Sequence, residues 1–257
     1  MTSNKPNILM IDIETAPIKA YAWGIWQQNI GINQIVEPGY TLCFAAQWLG
    51  EDNMMFSSIH EDGRDEMVRK AHHLIDTADM VVHYNGTKFD IPILNQEFLQ
   101  SKLGPASPHI NIDLLRTVKQ RFRLPSNKLD YVARVLGLEG KVKNSGMSLW
   151  IDVMAGDEDA WEDMKTYNIQ DVKLLEDVYY ELLPWIKNHP NMALWDTEQQ
   201  NDRQCPTCGS IHLQKRGTYY TQTMTYQRYH CQGCGAWSKE RTNNLPREKK
   251  ANILVGI

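Results

Sequence analysis

Long hydrophobic runs are missing from this chain of 257 residues, which excludes a helical membrane span of about 20 consecutive apolar residues. The opening residues, Met1-Thr-Ser-Asn-Lys-Pro6, contain no apolar core of a signal peptide. A cytoplasmic location with no membrane partner is therefore expected. Internal repeats and low-complexity tracts are also lacking, which sets aside solenoid architectures and extended disorder. Cysteine is scarce, and four of the five fall in two Cys-x-x-Cys pairs near the C-terminus. Inside a cell that pairing favours a metal over disulfides. Cys43 stands apart in the apolar run Tyr40-Thr-Leu-Cys-Phe-Ala-Ala46 and reads as a small core residue.

What is present suits a globular chain. Hydrophobic residues make up 42% and charged residues 23%, enough to bury a core. The net charge of −4 is unevenly spread. Residues 203–257 hold nine Lys and Arg against two acidic residues, a net of +7, which leaves −11 for residues 1–202. A basic tail on an acidic body points to a polyanionic partner for the tail, although a solvated charged surface has the same composition.

Apolar periodicity gives a coarse map. Residues 7–13, 40–49, 53–59, 80–83 and 109–113 read as strands, with a hairpin turn at Gly50-Glu51-Asp52. Asp62 is placed to cap a helix running to about Asp76, with Met67, Ala71, Leu74 and Ile75 inward. A helix follows Asp90, carrying Ile93, Leu94 and Phe98 inward. Residues from Asn127 turn helical, and 158–185 are strongly helical with a break expected near Tyr167. Three strands followed by alternating strands and helices predict an α/β layered sheet covered by helices. The polar, aperiodic stretch 188–203 reads as a linker between a domain at 1–187 and a small module at 204–257.

Three acidic motifs carry the chemistry. Asp12-Ile-Glu14 ends the first strand, where alternation puts both carboxylates on one face and Ile11 and Ile13 on the other. Two such carboxylates repel unless a cation lies between them, and strand ends of α/β sheets are where ligands bind. Alone, the pair also suits a solvated strand end. Asn85-Gly-Thr-Lys-Phe89-Asp90 follows another strand, with Asp90 at a helix start, where it would equally serve as an N-cap. Tyr167-Asn-Ile-Gln-Asp171 sets a phenol and a carboxylate one helical turn apart.

Taken in order, these motifs resemble those of the DEDDy-type 3′→5′ exonucleases, most closely the proofreading domains of family B DNA polymerases. The stretch from Ile112 to Gly137 is similar to the segment connecting the motifs in that family. The resemblance implies an RNase H-like fold with a five-stranded mixed sheet flanked by helices. It also implies two Mg²⁺ or Mn²⁺ ions held by Asp12, Glu14, Asp90 and Asp171. Tyr167 would then orient the attacking water, and Asn85 and Phe89 would meet the substrate. Hard carboxylate oxygens suit such ions. The implied substrate is a single-stranded DNA 3′ end, in a replication or recombination setting. The alternatives are a 3′→5′ exoribonuclease of the same superfamily and a catalytically silent nucleic-acid-binding or docking protein of a replication or recombination complex. Trp23 and Trp26, just after the first motif, suit either base stacking or burial against the sheet edge.

Cys205-Pro-Thr-Cys208 and Cys231-Gln-Gly-Cys234 can supply four thiolates to one structural Zn²⁺, and the glycine after each pair permits a left-handed turn. With two strands expected between them, the module resembles a zinc ribbon. His230, beside Cys231, is expected on the surface rather than as a ligand. Interleaved basic and aromatic residues make the ribbon a candidate nucleic-acid-binding module, with a protein-docking ribbon as the alternative.

Overall fold

The computed structural model describes residues 5–139, 145–196 and 202–255. The chain forms two compact units: Asn7–Tyr179, and Tyr180–Ile257 together with Met1–Pro6. Among the described residues, no helix is long and apolar enough to cross a membrane.

The first unit is built around β1 (Ile8–Thr15), whose sequence ILMIDIET is apolar until its carboxyl end. A small two-stranded ribbon of β2 (Lys19–Ala20) and β3 (Ile35–Glu37) follows, then β4 (Thr41–Trp48) and β5 (Met54–Ser58). Helix α1 (Arg64–Thr77), β6 (Met80–His83), α2 (Asp90–Gln100) and β7 (Ile110–Asp113) come next. Helices α3 (Leu114–Arg121), α4 (Leu129–Leu136), α5 (Met147–Ala155) and all but the last residues of α6 (Glu158–Leu182) complete it. The five-stranded sheet has the order β5-β4-β1-β6-β7. β1 and β4 run antiparallel, as do β4 and β5, whereas β1, β6 and β7 run parallel. This is the mixed, helix-flanked five-stranded sheet that the family resemblance implied.

Strand alternation sorts the two faces of β1. Leu9, Ile11 and Ile13 join Phe44, Ala46 and Val81 in a core with Met67, Val68, Ala71 and Ile75 of α1 and Leu94 and Phe98 of α2. The opposite face is covered by α5 and α6, where Cys43 packs with Leu149, Val153, Trp161, Met164 and Tyr167. Each fully buried Leu, Ile or Phe adds about 1.5–3 kcal/mol, and that apolar burial offsets the acidic end of β1. Glu97, buried at 1% exposure, fastens α2 to its surroundings: it accepts from the Thr41 amide (2.9 Å) and from Arg64 Nη2 (2.8 Å).

Three expectations change. α6 runs unbroken past Tyr167, because residues 158–182 contain neither Gly nor Pro to interrupt its hydrogen bonds. Asp62 does not cap α1. Its carboxylate is taken by Ser57 Oγ (2.5 Å) and Lys70 Nζ (2.8 Å), and Gly63, at φ 77°, is the N-cap. Trp23 and Trp26 do not plug the sheet edge but stand 99% and 83% exposed, in the connection between β2 and β3, which among the described residues pair with each other and not with the five-stranded sheet.

The second unit contains a three-stranded antiparallel sheet, β8 (Leu213–Tyr220), β9 (Thr225–Cys231) and β10 (Trp237–Lys239), in the order β10-β9-β8. β10 adds a third strand to the expected hairpin. Within 188–203 the described residues include a short 3₁₀ turn at Met192–Leu194, and the Met192 amide donates to Pro206 O (2.8 Å).

Candidate active site and metal centres

β1 delivers Asp12 and Glu14 to one face, and α6 brings Asp171 against them. One carboxylate oxygen from each of the three lies within 4.8 Å of the others. Asp171 is buried, and Asp12 and Glu14 are half-buried. Three acids so close repel strongly in a partly dry setting. A divalent cation relieves that repulsion with hard oxygen ligands, so the donor set fits such an ion.

Asp90 lies outside this trio but beside it. It is the first residue of α2, while Phe89 holds the N-cap position. β6 pairs with β1 only as far as Met10. Beyond that point the Ile13 amide, between the two motif acids, donates to Asp90 Oδ1 (3.2 Å). The Asp90 carboxylate thus takes over where the strand pairing stops. Burial pushes its pKa up to about 6, with Asp113 adding to the rise and backbone amides opposing it.

The turn before α2 depends on a close approach. His83 is fully buried and held neutral by burial. Its Nδ1 accepts from the Gly86 amide (3.0 Å), so Nε2 carries the proton toward Asn111 Oδ1 (3.2 Å). A Cβ on Gly86 would sit 2.4 Å from His83 Cγ; only glycine fits. Asn85 occupies the left-handed region at φ 74°, and its amide donates to Asp113 Oδ1 (3.1 Å). Phe89 is 42% exposed. Beside Asn85 a groove of about 490 Å³ is lined by Tyr84, Lys119, Asn127 and Lys128, among others.

On α6, Tyr167 is buried and meets Trp150 of α5 edge-on, with ring centroids 6.2 Å apart. Asn168, fully buried, is a residue of the site that no sequence motif singles out. Its Nδ2 donates to Asp12 Oδ2 (2.8 Å) and to Asp12 O (3.3 Å), and its Oδ1 accepts from the Cys43 thiol (3.8 Å). Cys43 lies directly across from Glu14 on β4. Burial, then the Glu14 and Asp12 charges, hold the thiol well above its usual pKa and keep it a donor. The available signal was helical spacing: Asn168 precedes Asp171 by three residues and so shares its face.

In the second unit, the four Cys-x-x-Cys sulfurs also lie within 4.8 Å of one another. Cys205 and Cys234 Sγ are 3.7 Å apart, and Cys208 and Cys231 Sγ 3.6 Å. That is far beyond a disulfide bond and close to the edge of a sulfur tetrahedron around a metal with bonds of ~2.3 Å. The left-handed glycines are there, Gly209 at φ 76° and Gly235 at φ 77°. The cluster fits a zinc ribbon.

The family model of the RNase H superfamily matches residues 9–183. The chain belongs to the RNase H superfamily. Among solved structures, this RNase H-like chain is similar to the family B DNA polymerase from the hyperthermophilic archaeon Pyrobaculum calidifontis, with a TM-score of 0.53 and 16% identity. The match covers 70% of this chain and 25% of the polymerase chain; at that identity the likeness concerns the fold. No curated protein matches the sequence. Superfamily membership and the acidic cluster together support a metal-binding nuclease.

Proposed function

We propose that the chain is a 3′→5′ exonuclease that hydrolyses single-stranded DNA and releases nucleoside 5′-monophosphates. The observation that carries the reading is the meeting of Asp12 and Glu14 from β1 with Asp171 from α6 within 4.8 Å. Tyr167 lies one turn before Asp171, and Asp90 is anchored on the amide between the first two acids. Asp12, Glu14, Asp90 and Asp171 would hold two Mg²⁺ or Mn²⁺ ions. Such a pair, when bound, makes water nucleophilic near neutral pH and stabilises the leaving oxygen.

The chain's own residues supply the remaining parts. Asn168 fixes the position of the Asp12 carboxylate by donating to its Oδ2. Tyr167 orients the attacking water rather than deprotonating it, the metal supplying the acidity. Asn85 and Phe89 meet the terminal nucleotides, and Lys119 and Lys128 flank the adjoining groove where phosphates would pass. In domain terms, residues 1–187 form the exonuclease, 188–203 the linker, and 204–257 a ribbon held by one structural Zn²⁺ on Cys205, Cys208, Cys231 and Cys234. Resemblance to proofreading domains supports DNA over RNA, and a replication or recombination setting.

The test is a 5′-labelled single-stranded DNA oligonucleotide incubated with Mg²⁺ or Mn²⁺. A ladder shortening from the 3′ end, abolished by Asp171→Ala, is expected. No ladder on DNA or RNA would overturn the enzyme, and a ladder on RNA alone would overturn the DNA substrate.

A further inference from the structure

We infer that one face of the ribbon sheet is a stacking platform for single-stranded DNA, formed by Tyr219, Tyr226, Arg228, His230, Trp237 and Lys239. The choice of DNA rests on the proposed exonuclease substrate; the platform itself rests on strand register. On β9, alternation places Tyr226, Arg228 and His230 on one face and Tyr229 and Cys231 on the other. Cross-strand pairing adds Tyr219 beside Tyr226, Lys239 beside Arg228 and Trp237 beside His230. One face thus gathers four of the strands' aromatic or imidazole rings and two cations.

Close approaches join these side chains into a continuous surface. Lys239 Nζ lies 3.9 Å from the Tyr226 ring centroid and 5.1 Å from that of Tyr219. Arg228 Cζ lies 4.8 Å from the Trp237 ring, and His230 lies 4.7 Å from it on the other side of the register. Arg228 Nε is further held by Arg216 O (2.9 Å). The cations therefore brace the rings, which keeps both ordered before any ligand arrives.

The two faces differ in access. Tyr219 and Trp237 are 44% and 55% exposed, whereas on the reverse Tyr229 and Cys231, beside the cysteine cluster, are buried and the exposed ring is Tyr220 at the far end of the sheet. Glu240, next to Lys239 in sequence, points its oxygens at Tyr229 (2.6 Å) and Arg203 (2.9 Å), so it serves the reverse face. What remains is aromatic and positively charged within a segment of net +7. Exposed flat rings favour unpaired bases, whose faces are free to stack, and the cations match the phosphates between them. A duplex, with its bases already stacked on each other, offers the rings nothing.

The test is fluorescence anisotropy of the zinc-loaded full chain with 5′-labelled oligothymidylate, without added Mg²⁺ or Mn²⁺, over a range of salt. Trp237→Ala and Tyr219→Ala, on different strands, are each expected to weaken binding about tenfold at constant zinc content. Two such variants keep the test decisive if one sheds its zinc. Arg228→Gln with Lys239→Gln is expected to flatten the log–log salt slope by roughly 0.7 for each phosphate that is no longer neutralised. Unchanged affinity in the zinc-retaining variants, equal affinity for duplex, or tighter binding of the matching RNA would each overturn the inference. Adding Mg²⁺ to the same samples separates the two readings. Cleavage with variant-insensitive binding sinks the platform alone, and variant-sensitive binding without cleavage sinks the exonuclease alone.

Discussion

Replacing Asn168 by leucine keeps the side chain's bulk in the α6 core while removing the amide that grips Asp12. In the native protein that amide donates at 2.8 Å to a carboxylate from a fully buried position. A hydrogen bond to a charged group contributes about 1.5–3 kcal/mol, and every 1.4 kcal/mol is tenfold. The loss therefore corresponds to roughly 10- to 150-fold in how well Asp12 is held for a metal, in line with the ~10–100-fold usual for residues that support metal ligands. The half-maximal Mg²⁺ concentration for cleavage of a 5′-labelled strand should rise by at least tenfold in Asn168→Leu. The rate at saturating Mg²⁺ should fall less, because the ligands themselves remain. Thermal unfolding with and without Mn²⁺ gives an independent reading, in which metal stabilises the variant less than the parent. A folded Asn168→Leu protein with the parent's metal titration would refute the positioning role of Asn168.

The raised pKa of Asp90, about 6 against an ordinary 3.8, has a definite sign. The fold favours its protonated form, so in metal-free protein its stabilising contribution is present below pH 4 and is lost as pH rises to 6, about 3 kcal/mol in all. Urea denaturation of the parent and Asp90→Asn should therefore diverge over that window in the variant's favour, and Mn²⁺ should stabilise the parent more at pH 7 than at pH 5. Gly86→Ala forces a methyl group into the His83 ring and should cost about 1–3 kcal/mol in the same denaturation experiment. Stripping metal with a chelator, or replacing Cys208 by serine, should abolish the zinc content of about one ion per chain and melt β8–β10, read as a loss of strand signal by circular dichroism.

Period and spacing were enough to place Asp12 and Glu14 on one face of a buried strand and to set Tyr167 and Asp171 one turn apart. They also identified the paired cysteines with their left-handed glycines, because all of these are consequences of local backbone geometry. Cys43 as core was legible for the same reason. Only the tertiary structure decided that α6 would bring Asp171 to Asp12, that Asp90 would take the Ile13 amide instead of capping its helix, and that Asn168 would link Cys43 to Asp12. It likewise decided that Trp23 and Trp26 would stand exposed and that the ribbon's rings and cations would share one face. Each of these depends on which distant segments pair and in what register, and no local periodicity encodes that.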